Sequence, residues 1–261
     1  LNFVKKKNLF LIEDCSQAHG AVYKGKKVGS FGHISTWSFC QDKIMSTGGE
    51  GGMISTNNTK LWLKLWSLKD HGKNYKNVFD KKNNNQFKWL HDDLGSNYRM
   101  TEMQAVIGRE QLKSLDKQIK KRNLIANLYL YGLKDYYLKF DILKKPRFKY
   151  QTYYLKKNSK KNNQYFHAIY SLNLFINKNK INQKKLIEQL NKNKINCGVG
   201  SCPEIYREKI FKKLKFYPKK RLSNAKLLGE TSLMFPINPY KSSTKVKLEI
   251  NTIKKILNKF S

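Results

Sequence analysis

The feature that most constrains the fold is a short apolar run, followed by a second strand-like segment, each leading directly into polar side chains near the start of the chain. The run 9–12 ends in Glu13 and Asp14, and the run 34–39 leads into the loop 40–43. The pattern predicts short strands, the first of them buried, that deliver polar groups at their carboxyl ends. We therefore expect an α/β sheet whose chemistry lies at the strand ends.

The longest helix is predicted to begin after Thr101. Thr101 is followed three residues later by Gln104, as in a capping box, and apolar residues continue at helical spacing to about residue 133. A shorter helix is expected over 59–70 and is followed over 73–93 by a long excursion rich in asparagine and lysine.

Composition shifts near residue 134, and this shift divides the chain. Residues 1–133 are expected to form part of a large domain, and residues 134–261 a small α+β domain. Further elements are predicted in order: a strand over 53–56, a strand over 166–176, helices over 182–193 and 204–213, a strand over 232–235 and a helix from about 244.

The formal net charge of +35 raises the possibility of a nucleic-acid partner. The lysines, however, run the whole length of the chain together with asparagine and isoleucine, as in 156–163, instead of forming a recognition stripe. We therefore expect no nucleic-acid partner. A basic nucleic-acid-binding protein remains the weakest alternative.

The absence of certain sequence features limits where the protein can be located and whether it can bind a metal. No apolar run reaches the roughly 20 residues that a membrane span needs, and the first twelve residues are interrupted by charges. The expectation is a cytoplasmic protein with no membrane partner. The four cysteines show no C-x-x-C spacing, so reduced thiols are expected, with no metal site.

Three motifs stand close together near the start of the chain. They are E-D-C-S-Q-A-H-G-A over 13–21, G-S-F-G over 29–32, and S-F-C-Q-D-K over 38–43 followed by the glycine-rich run 48–52. In order and near-family spacing, together with G-S-N-Y-R-M over 95–100, they resemble the DegT/DnrJ/EryC1/StrS family of pyridoxal-phosphate-dependent sugar aminotransferases. The resemblance implies an aspartate-aminotransferase-like fold (fold type I).

The resemblance assigns roles to four residues around pyridoxal 5'-phosphate. Lys43 is implied as the catalytic lysine that binds the cofactor covalently, a role that requires a pocket lowering its pKa. Asp14 would hold the proton on the pyridine nitrogen, as a strand-end carboxylate can. Gln17 is expected near the phenolic oxygen, and Ser38 at the phosphate.

The same resemblance implies an assembly. Asn97 matches an asparagine that reaches the phosphate region of the neighbouring subunit's cofactor, so a homodimer with shared active sites is expected. His19 stays open between a structural histidine beside a glycine turn and a direct contact to substrate.

The implied reaction is amination of a ketone on a nucleotide-linked keto-sugar, with glutamate as amino donor, for surface polysaccharide or another glycan. Lys43 would also move the proton during transamination. Family members begin well before this chain does, so an N-terminally truncated fragment is expected, lacking part of the phosphate cradle. The alternative is a non-catalytic remnant of the fold.

Overall fold

The computed structural model describes residues 1–79, 89–138, 141–144 and 165–260. The helices are α1 (Asn2–Lys6), α2 (Thr59–Lys69), α3 (Tyr75–Phe79), α4 (Glu102–Gly132), α5 (Lys134–Leu138), α6 (Gln183–Lys192), α7 (Lys209–Lys213), α8 (Ser223–Thr231) and α9 (Ser243–Leu257). The strands are β1 (Ile12–Asp14), β2 (Val22–Tyr23), β3 (Lys26–Lys27), β4 (Ile34–Ser38), β5 (Gly52–Ser55), β6 (Leu143–Lys144), β7 (Tyr165–Phe166), β8 (Ser171–Ile176) and β9 (Ser232–Pro236).

The described residues divide into two compact units. The first runs from Leu1 to Lys117 and also includes 165–167, and the second begins at Gln118. This division falls inside α4, whereas the composition shift places the domain boundary at 133/134. The boundary at 133/134 stays a prediction.

A three-stranded sheet in the first unit brings two strand ends together. β1 pairs in parallel with β4, with Asp14 opposite Thr36, and β4 pairs antiparallel with β5. Because β1 and β4 run in the same direction, their carboxyl ends, with Asp14 and Ser38, lie at the same edge of the sheet. The strands predicted over 34–39 and 53–56 are confirmed to within one residue.

The prediction that the run 9–12 forms a buried strand is wrong. The strand is Ile12–Asp14, and Phe10 and Ile12 are 77% and 62% exposed. β1 lies at the edge of its described sheet, with β4 as its one hydrogen-bonded neighbour there. Strand side chains project from the two faces of a sheet, so the exposure of Ile12 means that little of the described chain packs over its face of β1.

Helices α2 and α4 follow the local signals in the sequence. The Gln104 backbone N–H donates to Thr101 Oγ1 at 3.3 Å, and the Thr101 backbone N–H donates to Gln104 Oε1 at 3.2 Å, which confirms the predicted capping box. Helix α2 ends where predicted, with His71 and Gly72 at φ +58° and +81°.

The second unit packs helices on the antiparallel sheet β6-β8-β9. Along β8, partly and fully buried side chains alternate, so one face of the sheet points into the core. The core joins α4, β8, α6, β9 and α9 through Ile125, Leu174, Leu186, Leu233 and Ile253, each at most 1% exposed. Burial of such side chains stabilises a fold by about 1.5–3 kcal/mol each.

Two elements predicted in the second half of the chain are interrupted. The strand expected over 166–176 is divided into β7 and β8. The helix expected over 204–213 is a short 3-10 turn, Ile205–Arg207, followed by α7. Glu208, between the two, has φ −58° and ψ +144°, which is extended backbone that a continuous helix cannot contain. The helix over 182–193 and the strand over 232–235 are confirmed.

Glu204 is surrounded by hydrogen-bond donors. Its carboxylate accepts from Arg221 Nε and Nη2 at 2.8 and 2.6 Å and from the Tyr206 hydroxyl at 2.6 Å. The Arg221 and Tyr206 bonds lower the pKa of Glu204 to about 2. Because these donors bind the charged form, they favour ionised Glu204 in the folded state.

We expect the Glu204 network to stabilise the fold above about pH 4.5 and to lose that contribution as the pH falls toward 2. The folded pKa is depressed from its ordinary value of 4.5, so unfolding takes up a proton in this window. Melting temperatures of the wild type and Glu204→Gln should differ at pH 7 and converge near pH 2. Glu188→Gln, at an exposed position on α6, is the matched control. A constant difference between Glu204→Gln and wild type across pH would contradict this assignment.

Candidate active site

Asp14 presents an ionised carboxylate at the end of β1. Its Oδ1 accepts the Ser16 backbone N–H at 3.0 Å and the Ser16 hydroxyl at 2.6 Å. The pKa of Asp14 is lowered first by the Ser16 hydroxyl, then by the Ser16 backbone N–H, and further by the positive charge of Lys43. Asp14 therefore carries a negative charge at neutral pH.

Lys43 lies in the loop that follows β4. Its side chain is 15% exposed, and Nζ lies 3.6 Å from Asp42 Oδ1. Its charge acts on Asp14, whose pKa it helps to lower. The fold thus brings two of the predicted site residues, from adjacent parallel strand ends, into one electrostatic environment.

The loop around Lys43 is fixed by backbone hydrogen bonds. The Lys43 N–H donates to the Cys40 carbonyl at 3.0 Å, and the Thr47 N–H donates to the Phe39 carbonyl at 3.1 Å. The Thr47 hydroxyl donates to the Glu50 carbonyl at 3.0 Å. A Cβ at Gly51 would lie 2.1 Å from Thr47 Oγ1, so this position accepts only glycine without a shift. The glycine-rich run is a close-packed support for the lysine loop.

Ser38, Gln17 and His19 occupy different environments. Ser38 is partly buried at the end of β4, and its Oγ accepts the Cys40 N–H at 3.4 Å. Gln17 is exposed in the turn after β1. His19 is 3% exposed, with its ring centroid 5.5 Å from that of Trp37. This enclosed aromatic packing favours the structural role of His19 over a direct substrate contact.

Asn97 belongs to a second cluster, built on Asp70. Residues 70 and 97 form an antiparallel bridge. Asp70 Oδ1 lies 2.6 Å from Arg99 Nη1 and 3.2 Å from Lys73 Nζ, and these contacts contribute to lowering the pKa of Asp70. Asn97 is exposed, and its Oδ1 accepts the Arg99 N–H at 3.3 Å. Asn97 is therefore exposed to solvent where the two ends of the 73–93 excursion are joined by hydrogen bonds.

Gly72 and Gly95 bring the two chain segments at the ends of the excursion into close contact. A Cβ at Gly72 would lie 1.7 Å from the Asp93 carbonyl oxygen, and one at Gly95 would lie 2.2 Å from the Gly72 nitrogen. The Ser96 N–H donates to the Leu68 carbonyl at 2.9 Å. We call residues 68–73 and 91–98 the excursion clamp; residues 80–88 of the excursion lie outside the described residues.

Glu13 has a role that the sequence reasoning missed. Its Oε2 accepts the Gly29 N–H at 2.9 Å, and its Oε1 accepts the N–H groups of Phe31 and Gly32, each at 2.6 Å. One carboxylate therefore binds three backbone donors of the G-S-F-G motif and fixes that loop beside β1. The available signal was an acidic residue on a strand together with a short glycine-containing loop that needs acceptors.

The described part of the chain bears on the remaining predictions about metals, thiols and membranes. Within it, no group of three or more His, Cys, Asp or Glu side chains is placed to hold a metal ion. Cys15, Cys40, Cys197 and Cys202 form no disulfide. Among the described helices, none combines the length and the apolar character required to cross a bilayer.

Comparison with known proteins gives a match along almost the whole chain. The family model described as the DegT/DnrJ/EryC1/StrS aminotransferase family matches residues 2–254. GDP-perosamine synthase of Escherichia coli O157:H7 is 42% identical over 129 residues, which are 49% of this chain and 32% of that protein. The chain spans 62% or less of the length of the first curated relatives it matches.

Solved structures have the same fold. The aminotransferase from Psychrobacter cryohalolentis has a TM-score of 0.88 and 41% identity, covering 99% of this chain and 64% of that one. The E. coli GDP-4-keto-6-deoxy-D-mannose-3-dehydratase, solved with bound hydrated pyridoxal phosphate, has a TM-score of 0.75 at 22% identity, with 97% and 62% coverage.

Proposed function

Since the chain belongs to the DegT/DnrJ/EryC1/StrS aminotransferase family, we propose that it carries the lysine-bearing part of a pyridoxal-phosphate-dependent nucleotide-sugar aminotransferase. The predicted family and the aspartate-aminotransferase-like fold of type I are confirmed. The observation that carries the proposal is that largely buried Lys43 follows β4, whose end lies beside the end of β1, and that its charge helps to keep the Asp14 carboxylate ionised.

The side chains of this site fit pyridoxal phosphate. Asp14, kept ionised by Ser16 and Lys43, has the charge needed to hold a proton on the pyridine nitrogen. Gln17 is proposed near the phenolic oxygen and the Ser38 hydroxyl at the phosphate, and Asn97 would reach the phosphate of the neighbouring subunit. When bound, the cofactor supplies an electron sink for the substrate carbon.

Lys43 performs the acid–base work in this proposal. Its amine takes a proton from the substrate carbon that bears the nitrogen and returns it at the cofactor's C4′ atom, which is the proton transfer of transamination. Because the Lys43 N–H donates to the Cys40 carbonyl, the backbone from which the side chain extends is held in place. Positioned acid–base groups of this kind typically accelerate a reaction by about 10²–10⁴-fold.

The substrate class follows from the relatives. We propose a nucleotide-linked keto-sugar as the acceptor and glutamate as the amino donor, with the product used for surface polysaccharide or another glycan. Support comes from family membership and from 42% identity to a GDP-perosamine synthase over half of this chain. The proposed assembly is a cytoplasmic homodimer in which Asn97 completes the partner's site.

The test is amino transfer by the purified chain supplied with pyridoxal phosphate and glutamate. Keto-sugars linked to GDP, UDP and dTDP are the acceptors, and mass spectrometry detects the amino sugar. We expect one nucleotide class to be aminated, with glutamate consumed in equal amount. Cofactor binding without amination of any keto-sugar would overturn the substrate class, and failure to bind the cofactor would support a non-catalytic remnant.

A further inference from the structure

A segment of the second unit combines exposed apolar side chains with a dense run of lysines. Within 209–220 there are six lysines and no acidic residue. The apolar side chains at least half exposed in this segment are Ile210, Leu214, Phe216 and Tyr217, and Phe216 is the most exposed at 69%. Clusters of large apolar side chains in water are uncommon on soluble surfaces and mark sites of contact.

The two ends of this segment are tied together. Glu204 binds Arg221 through two hydrogen bonds of 2.8 and 2.6 Å, and the Tyr206 hydroxyl accepts the Leu222 N–H at 3.1 Å. The residues between these two ends therefore form a loop-like segment whose ends are held close together. We call residues 207–220 the basic lobe.

The interior of the basic lobe is ordered by its own backbone. Two residues after the end of α7, Lys215 lies in the left-handed region at φ +59°. The Phe216 N–H donates to the Phe211 carbonyl at 2.8 Å. This is the hydrogen bond of a Schellman helix end. The chain is thus turned at Lys215, and Phe216 and Tyr217 follow the turn as exposed side chains.

We propose that the basic lobe docks onto the surface of an anionic lipid bilayer. Lysines attract anionic headgroups, and exposed Phe, Leu and Ile side chains gain free energy on entering the headgroup boundary. The mixture of aliphatic and aromatic side chains favours lipid over nucleic acid, because Ile210 and Leu214 cannot stack on bases. The expectation of no membrane partner rested on spanning segments, and interfacial contact requires none.

The charge of the whole chain does not account for this surface. A net charge of +35 would draw any lysine-bearing face toward an anionic surface. The basic lobe differs because its residues 209–220 combine exposed apolar side chains with six lysines. The proposal therefore predicts a dependence on both kinds of side chain, which attraction by net charge alone does not.

The test is cosedimentation of the whole chain with vesicles of phosphatidylcholine alone or mixed with phosphatidylglycerol. We expect binding to the mixed vesicles only. Replacing Lys212, Lys213 and Lys219 with glutamine should weaken the partition coefficient about 100-fold, from about 1 kcal/mol per lysine. Phe216→Ser should weaken it about tenfold or more, and Phe216→Trp should retain binding. The folding of each variant is checked by its melting temperature, since all four side chains are exposed.

The control changes the same number of charges elsewhere. Lys184, Lys185 and Lys192, exposed in α6, are replaced together by glutamine and should leave vesicle binding within about twofold of wild type. An equal loss in the control would assign the binding to net charge and overturn the proposal. Binding indifferent to Phe216→Ser, accompanied by equally strong binding to an RNA oligonucleotide, would overturn it in favour of a nucleic-acid surface.

Discussion

Lys43→Ala is expected to abolish covalent attachment of pyridoxal phosphate to the chain. The positive charge of Lys43 acts on the Asp14 carboxylate, and the Lys43 backbone N–H is hydrogen-bonded to Cys40 in the loop after β4. In the proposed mechanism, Lys43 binds the cofactor while the strand-end carboxylate of Asp14 holds the proton on the ring nitrogen. Wild-type protein incubated with the cofactor and reduced with borohydride should carry the added mass on the Lys43 peptide, and the variant should carry none. Any amino transfer should fall by about 10²–10⁴-fold.

The control for this experiment is Lys60→Ala. Lys60 is exposed at the start of α2, so its removal should leave cofactor attachment unchanged. Cofactor mass found on other lysines to the same extent in wild type and Lys43→Ala would indicate nonspecific reaction with exposed amines. That result would remove Lys43 from the proposed mechanism.

Gly72→Ala is expected to lower the free energy of unfolding by about 3 kcal/mol or more. Two effects add at this position. Gly72 has φ +81°, where L side chains are strained, and its new Cβ would lie 1.7 Å from the Asp93 carbonyl oxygen. The second effect forces the excursion clamp apart, because the contact is to backbone and cannot be relieved by turning a side chain. Urea denaturation with a constant m value measures the loss.

Gly25→Ala separates the two effects. Gly25 has φ +78° in the turn between β2 and β3, and a Cβ there would meet nothing within 4 Å. In Gly25→Ala only the backbone strain should remain, and it should lower the free energy of unfolding by about 1 kcal/mol. Equal losses in the two variants would show that the close approach at the clamp contributes nothing. A larger loss at Gly72, with weaker cofactor binding, would support the proposed role of the clamp in presenting Asn97.

Features that depend on neighbouring residues in the chain were predicted well. The capping box of Thr101 and Gln104 and the end of α2 at His71 and Gly72 follow from side chains and backbone angles within one or two turns. The interruption at Glu208 escaped prediction, because the apolar spacing of 204–213 is continuous while the backbone is not.

Features that depend on distant parts of the chain were predicted less well. Apolar composition predicts burial of the run 9–12, yet the exposure of Phe10 and Ile12 depends on which distant residues pack over them. The role of Glu13 requires contact with backbone donors of the G-S-F-G loop that lie 16 to 19 residues later in the sequence. No spacing rule within a strand indicates such a contact.

The candidate site was assigned mainly from the resemblance of motifs. Residue types alone would have left Lys43 as one of many lysines and Asp14 as an ordinary strand-end carboxylate. The structure adds their electrostatic coupling and the hydrogen bonds of Asp14 to Ser16. The roles assigned to Lys43, Asp14, Gln17, Ser38 and Asn97 all stay predictions.

The hydrogen bonds around the lysine loop limit how the Lys43 amine can travel. The Lys43 N–H is hydrogen-bonded to Cys40, and Thr47 is hydrogen-bonded to Phe39 and Glu50. The loop backbone is therefore held in place, while the four-carbon side chain of Lys43 can rotate about its own bonds. Each release and return of the amine then changes side-chain torsions without rearranging the loop. Restricting a lysine side chain costs at most about 2 kcal/mol of conformational entropy, a small cost for the proposed double role of Lys43 as attachment point and proton carrier.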